Sequence, residues 1–213
     1  MRISATQLES FRLFMDPAND WFNEQDLVDS ITGVFRPNHK INLGSAFGQV
    51  LEDPDRFLVP GGFRVRVYGE TFEFAREVID PCLALIDRRG VFEAKAVKAY
   101  GPHDVASKAD HILGADLSEF KTTLSGFDAD KYIESYQWRF MADAFQPRRI
   151  TYYVFCLYEC EANGVIELRS VERLPLYPYP QLHADCADMV REFVDYVTRK
   201  GLADVLNARQ AAA

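Results

Sequence analysis

Asp110, Glu119 and Lys121 are the side chains of this chain whose types and spacing could do chemistry together. They lie in Lys-Ala-Asp-His-Ile-Leu-Gly-Ala-Asp-Leu-Ser-Glu-Phe-Lys-Thr-Thr, residues 108–123, which reads as two short β-strands broken at Gly114-Ala115. A two-residue loop there sets Leu113 against Asp116 and Asp110 against Glu119, with Cβ atoms about 5 Å apart. Two carboxylates that close repel each other unless a cation lies between them, so a divalent metal is the natural third member. Lys121 is two residues beyond Glu119 and faces the same side of its strand. A metal held by carboxylates activates water and neutralises phosphate oxygens, and a nearby ammonium positions the water or meets the charge that develops. The set suits phosphodiester hydrolysis. Asp-x8-Glu-x-Lys also occurs in hairpins whose charges merely face water, so the neighbouring elements must supply the context.

The elements on either side can be read from periodicity and punctuation. Ser4 or Thr6 caps a first helix carrying Leu8, Phe11, Phe14 and Met15, which ends at Pro17. A second helix is expected over 23–34 and a third, weakened by glycines, over 44–52. Residues 53–62, with Pro54, Pro60 and a glycine pair, read as a loop and as the one internal boundary. Residues 63–68 alternate apolar residues with Arg64 and Arg66, as a strand does. Residues 70–88 read as a helix interrupted at Pro81, with Glu73 and Glu77 on one face. Strands follow over 91–100 and 104–113. Asp128 caps a helix running to 145, whose apolar stripe (Ile133, Tyr136, Phe140, Met141, Ala144) contains Gln137. A glutamine in such a stripe needs partners for its amide unless it sits at the stripe's edge.

The almost unbroken apolar run 150–158 is expected for a central strand covered on both faces. Asn163-Gly164 turns the chain back as a strand over 165–174. A Tyr/Pro-rich extended segment follows, then a helix over 181–199 and a frayed tail after Leu206. The expected class is α/β with a mixed (α+β) sheet. The expected organisation is one domain over 1–213, with residues 1–62 a helical elaboration and 63–206 the core.

Composition narrows the function classes. The chain is 48% hydrophobic and 13% aromatic, which argues for a packed core and against disorder. Its net charge of −8, from 24 basic and 32 acidic residues, counts against a broad phosphate-binding surface. An acidic metal site needs only a local basic rim. Cys82, Cys156, Cys160 and Cys186 show no disulfide framework and the start lacks the apolar run of a signal peptide, so the expected location is cytoplasmic. No apolar run approaches the roughly 20 residues of a membrane span. His39, His103, His111 and His183 form no zinc pattern. Asp128, Asp130 and Lys131 read as helix-start charges.

Helix, three strands, helix, strand is the core order of the PD-(D/E)XK restriction-endonuclease-like fold, and the residues agree with it. Asp110 stands where that superfamily has its first metal-binding Asp, and Glu119-Phe120-Lys121 stands as its (D/E)-x-K. Lys121-Thr122-Thr123, Gly69-Glu70-Thr71-Phe72-Glu73 and the helix residue Gln137 resemble the lambda-exonuclease and RecB nuclease branch. So do Ser4–Glu9 and, in the third helix, Leu43-Gly44-Ser45 and Val50-Leu51-Glu52. The chain departs from that branch where its frequent His falls on Gly48, and where Met141 takes a Tyr position.

The resemblance implies a DNA nuclease, an exonuclease rather than a sequence-specific endonuclease, from phage or bacterial recombination, repair or defence. It implies Mg²⁺ (or Mn²⁺) held by Asp110, Glu119 and the Phe120 carbonyl. Lys121 would orient or deprotonate the attacking water, and Gln137 would fix Lys121 or a substrate phosphate. Glu73 would hold a metal-bound water or a second ion, with Glu52 and Glu77 as fallbacks. The implied partners are single- or double-stranded DNA, with a homo-oligomer or a recombination partner protein able to supply the rest of a DNA channel. Some relatives carry a four-cysteine iron–sulfur cluster. It is not expected here, because Cys156 and Cys160 lie on one strand about 13 Å apart. The acidic balance also suits a second class, a nucleic-acid- or protein-binding module on the same fold that does not cut.

Overall fold

The strand that carries Asp110 organises the sheet. In chain order the elements are β1 (Arg2–Ser4), α1 (Ala5–Met15), α2 (Glu24–Thr32), α3 (His39–Glu52), α4 (Pro54–Phe57), β2 (Leu58–Val59), β3 (Gly62–Val67), β4 (Glu70–Ala75), α5 (Arg76–Leu83), β5 (Val91–Tyr100), β6 (His103–Leu113), β7 (Asp116–Thr123), α6 (Ala129–Ile133), α7 (Tyr136–Phe145), β8 (Arg149–Glu159), β9 (Ile166–Leu176), α8 (Leu182–Arg199) and α9 (Ala203–Ala211). The computed structural model describes residues 1–211, with side chains through 207. β6 pairs along one edge with β5, antiparallel from Tyr100↔His103 to Val91↔Ile112. Its other edge pairs first with β1, parallel, at Ala106 and before, and then with β7, antiparallel, from His111 onward. Residues 107–110 lie between those two ladders, and the sheet forks there. β7 runs parallel to β8, and β8 antiparallel to β9.

Two cores sandwich this mixed sheet. Ile150, Tyr152 and Val154 of β8 join one cluster with Leu8, Phe11, Phe140 and Phe193. Tyr153 and Phe155 meet the other, with Phe47, Val65 and Phe74. Successive side chains of a strand point to opposite faces, so burial on both faces explains the unbroken apolar run. The order helix–strand–strand–strand–helix–strand is present as α5, β5, β6, β7, α6/α7 and β8. Ser4 ends β1 and caps α1: its Oγ accepts from Gln7 N–H at 3.1 Å, and Gln7 Oε1 accepts from Ser4 N–H at 2.9 Å. Among the described residues no helix is long and apolar enough to cross a membrane.

The structure corrects the expectation of a helix over 70–88. Residues 70–75 form β4, paired with β3 in a separate three-stranded sheet, and the helix begins only at Arg76. Phe72 and Phe74 are buried while Thr71 and Glu73 are exposed, a period of two, and Gly69 at φ 92° closes the hairpin in a conformation that suits glycine. The helix expected over 128–145 is broken into α6 and α7, because Ser135 caps a new start by accepting from Gln137 N–H. The loop over 53–62 holds the short α4 and β2, and the tail forms α9 instead of fraying at Leu206.

His39 ties the two sheets together at the start of α3. Its Nδ1 lies 2.9 Å from Glu70 of β4 and its Nε2 lies 2.7 Å from Glu159 of β8. The hydrogen bond to Glu159 outweighs burial and, with Glu70, raises the imidazole above its ordinary value. A histidine raised on folding contributes stability in full below the unfolded value of about 6.5, and loses that contribution as pH rises through the folded value. His39→Asn is therefore expected to lower the melting temperature at about pH 6, with the gap to the wild type closing by about pH 8.5. An equal gap at both ends would show that the clamp is uncharged.

Candidate active site

At the fork the β6–β7 hairpin stops pairing backbone to backbone, and carboxylates complete the ladder. Asp110 N–H donates to Glu119 Oε1 at 3.1 Å, and Phe120 N–H donates to Asp110 Oδ2 at 2.8 Å. Lys121 Nζ donates to Glu119 Oε2 at 3.1 Å. The turn at Gly114-Ala115 sets Leu113↔Asp116 as a pair, and the same register carries Asp110 opposite Glu119. Glu119 is 1% exposed, and the Lys121 side chain is 28% exposed. Burial, reinforced by the charge of Asp110, pushes the Glu119 carboxyl well above the usual carboxylate range despite the pull of Lys121. Burial alone would lower the Lys121 ammonium, but Glu119 and Asp110 together raise it.

Helix α3 closes one side. It lies close on β7: a Cβ on Gly44 would come within 2.8 Å of Thr122 Oγ1, so glycine permits the approach. That approach brings Glu52 to a cavity of 330 Å³ shared with Asp110, Phe120 and Lys121. Burial first, then the charge of Glu93, holds the Glu52 carboxyl above its ordinary value, partly offset by Lys108. Glu93 also lines this cavity, pairs with Lys108, and has a left-handed backbone (φ 55°) that costs about 1–2 kcal/mol in a non-glycine residue. Two further cavities flank the hairpin. One of 320 Å³ is shared by Asp110, Gln137, Arg2, Lys95 and Lys108, and one of 590 Å³ is shared by Lys121 and Gln137.

No family model and no curated protein matches the chain. Solved structures do share its architecture. LHK-Exo, an alkaline exonuclease from Laribacter hongkongensis, aligns over 99% of this chain and 93% of its own at 11% identity, with a TM-score of 0.51. The chain has the fold of an alkaline exonuclease. LHK-Exo in complex with dAMP aligns over 99% of this chain and 94% of its own at 10% identity, with a TM-score of 0.51. SSO0001 aligns over 92% and 76% at 12% identity, also with a TM-score of 0.51.

On this exonuclease fold the structure brings together Asp110, Glu119, Phe120 and Lys121, with Gln137 at the cavities on either side. It does not bring Glu73. That side chain stands on β4, is 65% exposed at its side chain, pairs with Arg64 at 2.8 Å, and lines a different cavity with His39 and Glu159. Glu52, kept in the sequence reading as a fallback, is the helix carboxylate that reaches Asp110's cavity. Glu93 was missed; no motif marks it, and it stands where the β5–β6 register skips from Phe92↔His111 to Ala94↔Ala109. His111 is a packed residue: it is buried, and its Nε2 lies 2.9 Å from the Asp87 carbonyl oxygen. Asp128 caps α6 by accepting from Asp130 N–H.

The donor set fits a hard divalent cation. Four carboxylates (Glu52, Glu93, Asp110, Glu119) stand against two ammonium groups (Lys108, Lys121), so the site is short of positive charge. Among the described residues no group of three or more His, Cys, Asp or Glu side chains is placed to hold a metal ion by itself. Mg²⁺ does not need one, because it binds through one or two carboxylates and keeps waters and substrate phosphate oxygens as its other ligands. Cys82, Cys156, Cys160 and Cys186 are free thiols, and none of them lines this cavity.

Proposed function

We propose that this chain is a metal-dependent DNA nuclease of the PD-(D/E)XK superfamily, in the lambda-exonuclease and RecB branch, that removes nucleotides from a DNA end in the cytoplasm. The observation that carries the reading is the reciprocal clasp of Asp110 and Glu119-Phe120 with the Lys121 ammonium on its open side. Asp110, Glu119 and the Phe120 carbonyl would hold Mg²⁺ or Mn²⁺, which when bound activates water and neutralises phosphate oxygens. Lys121 positions the attacking water and meets the charge that develops on the phosphate. Gln137 holds the phosphate or the lysine from the α7 side. Arg2, Lys95 and Lys108 form the local basic rim that an otherwise acidic chain needs for a phosphate chain.

The test is Mg²⁺- or Mn²⁺-dependent release of nucleotides from end-labelled single- and double-stranded DNA. Binding without release under both metals would leave the non-cutting module, which the net charge of −8 favours. The helix carboxylate is separately testable. Glu52→Gln should lower the rate about 10- to 100-fold, as changes beside a metal site do, while Glu73→Gln stays near wild type. The reverse pattern would return the role to β4.

A further inference from the structure

The 590 Å³ cavity beside Lys121 and Gln137 has an exposed tryptophan in its wall. Trp21 is 65% exposed, whereas the chain's other tryptophan, Trp138, is 5% exposed. An exposed tryptophan in the wall of a cavity that also holds Lys121 and Gln137 offers a stacking surface to whatever enters it. The loop that presents it is tied down. Asp16 Oδ1 accepts from Ala18 N–H at 2.9 Å, Asn19 Oδ1 accepts from Trp21 N–H at 3.2 Å, and Asn19 Nδ2 donates to the Leu13 carbonyl at 2.7 Å. Phe22 packs edge-on to Trp21, with centroids 5.9 Å apart, and is itself seated on the core. Trp21 is thus a held platform.

The charges of this cavity point away from phosphate. Glu9, Asp16, Asp128, Asp130 and Glu134 line it. Apart from Lys121, which faces the scissile phosphate in the reading above, its cations are engaged: Arg12 with Glu9 and Asp16, and Lys131 over the Tyr132 ring. A flat, neutral ring whose edge donates hydrogen bonds fits aromatic walls and carboxylate rims, and the volume lies within the roughly 300–1,000 Å³ of small-ligand sites. A nucleobase has that chemistry, and bases stack on tryptophan with little regard to sequence. Bases in a duplex are paired and stacked, so one can enter only after leaving the stack.

We propose that this cavity takes the base of the nucleotide next to the bond being cut, laid on Trp21, so that the substrate is an unpaired DNA end. The choice of ligand rests on the nuclease reading above. Trp21 also supplies the readout, because a base stacked on the exposed tryptophan quenches its emission. Asp110→Asn protein, titrated with a single strand of about 12 nucleotides, should lose much of its tryptophan fluorescence, and a blunt duplex should leave it unchanged. Adding Trp21→Ala should weaken single-strand affinity about tenfold with no change in melting temperature. Quenching by the single strand and its loss in the Trp21 variant would support the compartment even if the wild-type protein never cuts. Equal affinity for Trp21→Ala, or equal quenching by blunt duplex, would overturn it even if the protein proves an active nuclease.

Discussion

Asp110→Asn should lower metal-dependent release of nucleotides by about a thousandfold, roughly 4 kcal/mol of transition-state stabilisation, and leave the protein folded. The loss follows from charge. An amide in place of one carboxylate weakens the hold on a divalent cation that also has to neutralise the phosphate. The survival of the fold follows from the hydrogen bonds. Oδ2 of Asp110 accepts from Phe120 N–H at 2.8 Å, and an asparagine oxygen can accept the same bond. The substitution also removes one of the charges that raise Glu119. End-labelled DNA with saturating Mg²⁺, alongside a thermal melt, measures both halves. Wild-type rates from Asp110→Asn would end the hydrolytic assignment.

Lys121→Ala tests the same hairpin through stability. In metal-free buffer at about pH 8 the variant should be less stable by about 3 kcal/mol, the low end for severing a buried ion pair, because Lys121 itself is partly exposed. Glu119 would then be a buried carboxylate without its ammonium. Its carboxyl, already raised by burial and Asp110, would rise further. A carboxyl raised on folding holds its proton more tightly in the folded state. The contribution is therefore full below the unfolded value of about 4.3 and is lost as pH climbs through the folded value. The deficit of Lys121→Ala should accordingly be small near pH 4 and grow with pH. Mg²⁺ at about pH 8 should raise the melting temperature of the variant more than that of the wild type, since the cation takes the place of the missing ammonium. A deficit independent of pH and metal would mean that Lys121 supports only packing.

The hairpin of Asp110, Glu119 and Lys121 was legible because its geometry is local. Gly114-Ala115 marks the turn, a two-residue loop sets the register, and register places Asp110 opposite Glu119 with no help from the rest of the chain. The buried strand β8 and the helix α8 were legible for the same kind of reason: an apolar run covered on both faces, and a clear one-sided stripe. Residues 70–75 misled because Glu73 and Glu77 also satisfy helical spacing. The alternation of Phe72 and Phe74 with exposed neighbours, after Tyr68-Gly69, was the better signal.

Which helix brings a third carboxylate to the pair is a different kind of fact. Glu52 reaches it because α3 rests on β7 at Gly44, Gly48 leaves open space, and Glu93 approaches from β5 through a strained backbone. Glu52 lies 58 residues from Asp110 and Gly44 lies 78 from Thr122, and no spacing rule spans such separations. Trp21 belongs with them, since nothing in its neighbouring residues says that folding leaves it at the wall of a cavity. Turn chemistry and strand periodicity act over a few residues and are written into neighbouring letters. The choice of what packs over the fork depends on shape and charge across the whole molecule, and appears only once the chain has folded.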